Sequence, residues 1–389
     1  MPVANSQCRL SEIAPLIVQS EIRFMSVECE RVGGINLAQG VCDTDLPPLV
    51  AEAAVRAIHN GLNTYTRADG IAPLRNAIAA KLSAYNGIQA DPETEVVVTS
   101  GATGALYAAG LALLNPGDEV LLFEPFYGYH GNTLLSMRVQ PIAVPLTASD
   151  WQLDMDRLRQ SITPRTRGIL VNTPSNPAGK VFTLTELEAI ADIAIEHDLF
   201  VFTDEIYEYF LYDGRRHISI ATLPGMAERT ITISGLSKTF SITGWRIGYL
   251  TASNRWIPTI RYFHDLTYVC APGPLQYGAA AGLVGLPSTF YSDMSVEYQQ
   301  KRDQLCAALS DSGLTPSIPD GAYYVLADAT RLPGKTGSEK ARKLLAVTGV
   351  AGVAGSAFFL AGGGENLLRF CFGKTPEALD RACSALRSI

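Results

Sequence analysis

The sequence predicts an α/β fold: a mostly parallel sheet with helices on both faces, joined to a smaller α+β domain. Three observations predict it. Short apolar, β-branched runs alternate with helix-spaced runs through the middle of the chain, the pattern of a parallel sheet covered by helices. The residues that carry chemistry fall just after the ends of those runs, where strand termini of such a sheet share one crevice. After about residue 290 the alternation stops, and a long helical stretch is followed by separated strands and helices.

The first strand is expected at Glu95–Thr99, followed by a helix of small and apolar residues over Ala102–Leu114. Further strands are expected at Glu119–Phe123, Gly168–Val171, Leu199–Thr203, Thr230–Ser234 and Arg246–Thr251. A helix over Thr185–Glu196 has Thr183 or Thr185 as its N-cap. The tail is expected to give a helix near Tyr291–Ser312, a strand Ala322–Ala327 after the turn Pro319-Asp320-Gly321, a helix near Ser338–Val347, a strand Leu367–Phe372 and a closing helix. The expected division is a large domain over 46–299 and a small domain built from 1–45 and 300–389.

Composition narrows the function. The 389 residues carry a net charge of −7 and hold no Lys/Arg run, which argues against nucleic acid as a partner. The longest apolar runs fall short of the roughly 20 residues of a membrane span, and no secretory signal is visible. Seven scattered cysteines without Cys-x-x-Cys spacing read as reduced thiols, so a cytoplasmic protein is expected. The five histidines show no metal-ligand spacing, and no metal is expected.

The most informative stretch is Ser234 to Tyr249, SGLSKTFSITGWRIGY, with Lys238 eight residues ahead of Arg246. Lys238 is flanked by small or apolar residues, which suggests a half-buried amine with a lowered pKa. Asp204 follows the apolar run Leu199–Phe202, and Tyr207 lies three residues on. Glu205 is the weaker acid, because neighbours on an extended segment point opposite ways. Ser100-Gly101-Ala102-Thr103-Gly104 sits between strand and helix, where backbone amides and the Thr103 hydroxyl make an anion site. Arg246 supplies a planar fork suited to phosphate. An amine, an acid, a phenol and an arginine near strand ends are what pyridoxal 5′-phosphate requires: Schiff-base partner, pyridinium counter-ion, ring-hydroxyl ligand and phosphate clamp.

These residues resemble the fold type I pyridoxal-phosphate-dependent aminotransferases of class I/II, over nearly the whole chain from about Ile35. The Asp204-x-x-Tyr207 motif and Asn172-Thr173-Pro174-Ser175-Asn176-Pro177-Ala178-Gly179 carry the likeness, with Thr173 and Ala178 departing from the common N-P-x-N-P-x-G pattern. The resemblance implies that Asn176 bonds the ring hydroxyl and the substrate, that Tyr127 stacks on the pyridine face, and that Ser234 or Ser237 assists the phosphate. It implies that Arg369, a charge inside an apolar strand, grips the α-carboxylate, with Gly40 letting that carboxylate approach the backbone. It assigns Tyr65 to the phosphate of a neighbouring subunit, hence a homodimer with shared active sites.

The run from Tyr212-Asp213-Gly214 to Leu223-Pro224-Gly225-Met226 looks most like kynurenine and glutamine transaminases. The implied reaction moves an amino group between an L-amino acid and a 2-oxo acid by a ping-pong route, with Lys238 as acid and base. A β-lyase or cyclase on the same fold is the alternative. The side-chain pocket is expected near Ile22, Tyr127, Tyr268 and Val269, with no cation for a second carboxylate, so neutral or aromatic donors are expected over aspartate.

Overall fold

The computed structural model describes residues 9–17, 19–148, 150–360 and 362–389. Cys8 lies outside the described residues. In chain order the strands are β1 (Ile35–Asn36), β2 (Val96–Ser100), β3 (Glu119–Glu124), β4 (Gln140–Pro145), β5 (Thr166–Asn172), β6 (Phe200–Asp204), β7 (Thr230–Gly235), β8 (Ile247–Thr251), β9 (Thr315–Ser317), β10 (Tyr324–Asp328), β11 (Val350–Ala351), β12 (Val353–Ala354) and β13 (Leu367–Cys371). The helices are α1 (Glu21–Arg31), α2 (Pro48–His59), α3 (Ala72–Lys81), α4 (Gly101–Leu113), α5 (Gly128–Ser136), α6 (Met155–Gln160), α7 (Leu184–Glu196), α8 (Ile257–Tyr268), α9 (Gly273–Gly285), α10 (Ser288–Asp311), α11 (Gly337–Thr348) and α12 (Pro376–Leu386).

The large sheet runs β2-β8-β7-β6-β5-β3-β4. Its strands are parallel except β8, which pairs antiparallel with both neighbours. The reason is chain length. A parallel crossover needs roughly a dozen residues or more, and only residues 236–246 separate β7 from β8. The chain therefore returns directly, and Lys238 and Arg246 end up at the same end of the sheet. β3 is buried along its whole length, the continuous apolar pattern of a strand covered on both faces. Thr183, not Thr185, caps α7: its side chain accepts from Glu186 N while Glu186 bonds back to the cap amide.

The second sheet runs β12-β13-β10-β9 and is antiparallel. The N-terminal segment belongs to the same body, because β1 pairs in parallel with β11. Beyond β1, Leu37 N donates to Ala351 O and Cys371 N donates to Leu37 O at 2.8 Å. Residues 37–40 are thus threaded between β11 and β13 and delivered to the edge of the large sheet.

Behind the strand ends lies a charged cluster the sequence did not announce. Glu205 accepts from His217 Nε2 at 2.7 Å, Ser219 Oγ at 2.6 Å and Thr203 Oγ1 at 3.2 Å. Glu208 takes Lys81 Nζ at 2.5 Å, Asn86 Nδ2 at 2.8 Å and Ser234 Oγ at 2.9 Å. Both carboxylates are buried, Glu208 against the Lys81 ammonium and Glu205 against the His217 imidazole. Burial disfavours the His217 imidazolium, but Glu205 and then Glu208 outweigh it and raise its pKa. Such a group contributes fully below its unfolded pKa of about 6.5 and loses that contribution as pH rises through the folded value. The stability lost in His217→Gln, measured by urea unfolding against wild type, should therefore be larger at pH 6 than at pH 9. Equal losses at both pH values would show that His217 is not charged in the folded protein.

Candidate active site

A cavity of about 940 Å³ opens at the carboxyl ends of β5, β6 and β7. Register explains what meets there. Asn172 lies opposite Asp204, and Asp204 opposite Ile233, so three neighbouring strands terminate level with one another. Asn172 Nδ2 donates to Asp204 O at 2.9 Å and its Oδ1 accepts from Asn176 N at 2.8 Å, tying the loop after β5 to the end of β6.

Asp204 faces the cavity and Glu205 faces away into the cluster above, as pleat alternation requires. Asp204 Oδ1 accepts from Ile206 N at 3.2 Å, and Oδ2 lies 2.9 Å from His130 Nε2. His130 Nδ1 is buried with no partner. Tyr207 OH lies 3.0 Å from Tyr324 OH, and burial raises the Tyr207 pKa well above the usual range, so the phenol keeps its proton.

Lys238 Nζ donates to Gly40 O at 3.0 Å. Burial pushes its ammonium below the usual lysine range; Cys42 and Cys371 oppose this, and the guanidinium groups of Arg246 and Arg369 reinforce it. Gly40 has no room for a side chain, because a Cβ there would collide with the Tyr324 hydroxyl. Arg369 is 1% exposed. Its Nη1 donates to Asn176 Oδ1 at 2.8 Å, its Nη2 to Ala38 O at 2.5 Å, and its Nε has no partner. The guanidinium lies over the Tyr324 and Phe358 rings, 4.4 and 4.8 Å from their centroids.

At the other end of the cavity, α4 begins without a side-chain cap. Arg246 stands against it, in a left-handed conformation with φ 57°. A Cβ at Gly101, itself at φ +76°, would strike Arg246 Nη2, so glycine is required for this approach. Ala102, Thr103 and Ser237 line the same end. An uncapped 13-residue helix N-terminus beside an arginine and two hydroxyls is an anion cradle. Tyr127 lines the wall between the two ends, stacked on Tyr129 at 5.2 Å and edge-on to His130 at 5.4 Å.

The sequence-predicted residues Gly40, Ala102, Thr103, Tyr127, Asn176, Asp204, Tyr207, Ser237, Lys238, Arg246 and Arg369 all line this one cavity, and Gly101 packs directly behind it. Two expectations differ, that for Ser234 and that for the pair Tyr268 and Val269. Ser234 is not brought to the cavity: it lies within β7, and its hydroxyl is turned to Glu208. Tyr65, expected to serve a neighbouring subunit, is 82% exposed and lies outside this chain's own cavity. Tyr268 and Val269 are also outside it, at the exposed end of α8, while Ile22 does line it. The sequence reading also missed several lining residues. Tyr129, His130 and Tyr324 are among them, and so is Arg23, a cation beside the expected pocket residue Ile22.

A family model described as aminotransferase class I and II matches residues 32–386. The chain belongs to the class I and II aminotransferases. It is accordingly a pyridoxal-5′-phosphate-dependent aminotransferase, acting on amino acids and 2-oxo acids. A probable N-succinyldiaminopimelate aminotransferase of Mycobacterium tuberculosis is 39% identical over 373 residues, covering 93% of this chain and 94% of its own. The solved structure of the M. tuberculosis N-succinyldiaminopimelate aminotransferase matches with TM-score 0.94 at 38% identity, covering 98% of this chain and 100% of that one. Aromatic-amino-acid aminotransferase 2 of Thermococcus litoralis is 36% identical, with 98% of each chain covered. Kynurenine–oxoglutarate transaminase 3 of Rattus norvegicus is 34% identical, covering 91% of this chain and 84% of its own.

The cavity fits the cofactor on its own chemistry: an anion cradle at one end, a carboxylate and a phenol at the middle, and an amine of depressed pKa between them. The amine is the easiest of these to test without cofactor. With the lysines of the cofactor-free protein carrying ¹³C-methyl groups, one NMR resonance should titrate below the others and vanish in Lys238→Ala. Arg246→Ala should move that resonance to higher pH, since a neighbouring positive charge is removed. A Lys238 resonance that titrates with the surface lysines would contradict the assigned environment.

Proposed function

We propose that this aminotransferase works through Lys238, with Arg369 holding the α-carboxylate of each substrate and uncharged or aromatic donors favoured. The convergence of Lys238, Asp204, Tyr207, Asn176, Arg246 and Arg369 on a single cavity carries the reading. When bound, pyridoxal phosphate supplies the electron sink that makes the substrate's α-C–H acidic, and it stores the amino group between half-reactions. Asp204, oriented by His130 and Ile206 N, offers its carboxylate to the pyridine nitrogen. Tyr207 and the Asn176 side chain would hold the ring hydroxyl. Arg246, Ser237, Thr103 and the first amides of α4 receive the phosphate.

Lys238 Nζ takes the α-proton, which its depressed pKa favours, and gives it back within the same site. Arg369 offers a substrate carboxylate its Nη groups and the unused Nε, and so fixes which α-substituent faces Lys238. Ile22, Tyr127 and Tyr129 line the side-chain wall and support neutral or aromatic donors. Relatives named for aromatic amino acids and for kynurenine point the same way. We assign the cofactor half to residues 46–299 and the closing half to 1–45 with 300–389.

A panel of amino donors and 2-oxo acids, scored by the visible absorbance of the bound cofactor, tests the reading. Methionine or phenylalanine should give a larger kcat/KM than aspartate, and Lys238→Ala should abolish transfer and the lysine-dependent absorbance band. A Lys238→Ala protein as active as wild type would overturn the site. Amino acid consumed beyond one equivalent per site without any 2-oxo acid present would favour the lyase alternative.

The second part of the reading is a homodimer. Tyr65 and Leu62, and on α8 Tyr262, Leu266 and Tyr268, are large apolar or aromatic side chains left exposed. Residues 62–66 and α9 lie together, since a Cβ at Gly273 would sit 3.3 Å from Thr64 O. This patch is suited to a second copy, with Tyr65 reaching across to its phosphate cradle. Sedimentation should give a dimer, and mixing inactive Lys238→Ala chains with Tyr65→Phe chains should change activity per site. A fully active monomer would refute it.

A further inference from the structure

Tyr324 touches two of the groups that the proposed function uses. It lies on β10, 2% exposed, and lines the cavity with Tyr207 and Arg369. Its ring carries the Arg369 guanidinium, 4.4 Å from the centroid. Its hydroxyl lies 3.0 Å from Tyr207 OH, and the two rings meet edge-on at 88°. A phenylalanine would offer Arg369 the same ring, so the hydroxyl calls for a separate account.

Counting protons gives one. Burial raises the pKa of both phenols, so each keeps its proton. Among the described residues each hydroxyl has the other as its sole hydrogen-bond partner. One bond uses one of the two protons, and the chain leaves the other unused. A buried polar group without a partner is costly, so that proton marks the place of a ligand. The surroundings decide which phenol keeps it. The Tyr324 oxygen stands against residue 40, where a Cβ on Gly40 would collide with it. The nearby carbonyl, Gly40 O, already takes Lys238 Nζ at 3.0 Å and Tyr323 OH at 3.4 Å, which fills both of its lone pairs. Tyr324 therefore donates to Tyr207, and the Tyr207 proton is the one left for the cavity.

Resting on the reading that Tyr207 holds the ring hydroxyl, we propose that Tyr324 is a positioning residue for the cofactor's ring oxygen. By donating to the Tyr207 oxygen it orients the Tyr207 proton and makes it a stronger donor, because hydrogen bonds in a chain polarise one another. A donor at the ring oxygen draws off its negative charge. That oxygen then holds less tightly the proton it shares with the lysine-bound end of the cofactor. The Tyr324 hydroxyl thereby lowers the pH at which that proton leaves.

The lysine-dependent visible band of the loaded enzyme reports that proton. Tyr324→Phe, which keeps the ring over Arg369, should raise the pH midpoint of the band by roughly half a unit, a share of one hydrogen bond's worth. Tyr207→Phe should raise it further, and in a Tyr207→Phe background Tyr324→Phe should add nothing. An unchanged midpoint in Tyr324→Phe, or an equal shift in both backgrounds, would overturn the proposal. The cofactor-free protein gives a second readout. With tyrosines labelled at ¹³Cζ, the Tyr207 resonance, identified by its loss in Tyr207→Phe, should move in Tyr324→Phe. A resonance that stays in place would overturn the pairing whatever the loaded enzyme does. A loaded wild type with no lysine-dependent band would instead refute the proposed function, and the tyrosine resonance would still decide the role of Tyr324.

Discussion

A buried arginine without a counter-ion organises this molecule. Arg369 sits on β13 in the interior, and no carboxylate pairs with it among the described residues. Burying an uncompensated charge costs several kcal/mol unless dipoles replace the lost water. Here they come from four stretches of chain: Asn176 Oδ1 after β5, Ala38 O from the N-terminal segment, and the faces of Tyr324 on β10 and of Phe358 after β12. To satisfy one guanidinium, the small sheet, the N-terminal segment and the large sheet must all be in place. The Nε of Arg369 has no partner among the described residues.

The large sheet answers with level strand ends. Asn172, Asp204 and Ile233 are in register, so a carboxylate, an amide and the run toward Lys238 are positioned by backbone pairing. Pleat alternation then sorts the two acids at the end of β6. Asp204 turns to the cavity, and Glu205 turns to His217 and Ser219. Glu205 and Glu208 with their cations hold the back of the same strand ends, and Ser234 is bound into that rear cluster.

What the sequence could reveal follows from these causes. Strand positions were readable because β-branched apolar runs announce them, and residues after strand ends follow from α/β topology. Asp204 over Glu205 was readable from pleat alone. Ser234 against Ser237 was not settled by spacing, because the outcome depends on where β7 ends: Ser234 is inside the strand, Ser237 beyond it. Arg23 was invisible for a different reason. Helix α1 reaches the cavity only because β1 pairs with β11, more than 300 residues away, and no local pattern encodes that pairing. Tyr324 was hidden likewise, since its hydroxyl meets Gly40 and Tyr207 only after β10 is placed. Tyr268 and Val269 were expected in the pocket by resemblance, yet within one chain they stand on the outer surface.

The charge pattern of the cavity runs against that of the whole chain. The protein carries −7, yet Arg23, Lys238, Arg246 and Arg369 line the cavity against Asp204 and Glu30. One surplus of positive charge does two things. It adds to burial, the largest cause, in lowering the Lys238 pKa, since Arg246 and Arg369 both disfavour a further cation. It also makes the empty cavity attractive to anions, and both the cofactor's phosphate and every α-carboxylate are anionic. The two effects are linked: an anion that enters offsets the repulsion that Arg246 and Arg369 exert on the Lys238 ammonium. Asp204 is kept in place independently of that amine, by His130 Nε2 and the Ile206 amide.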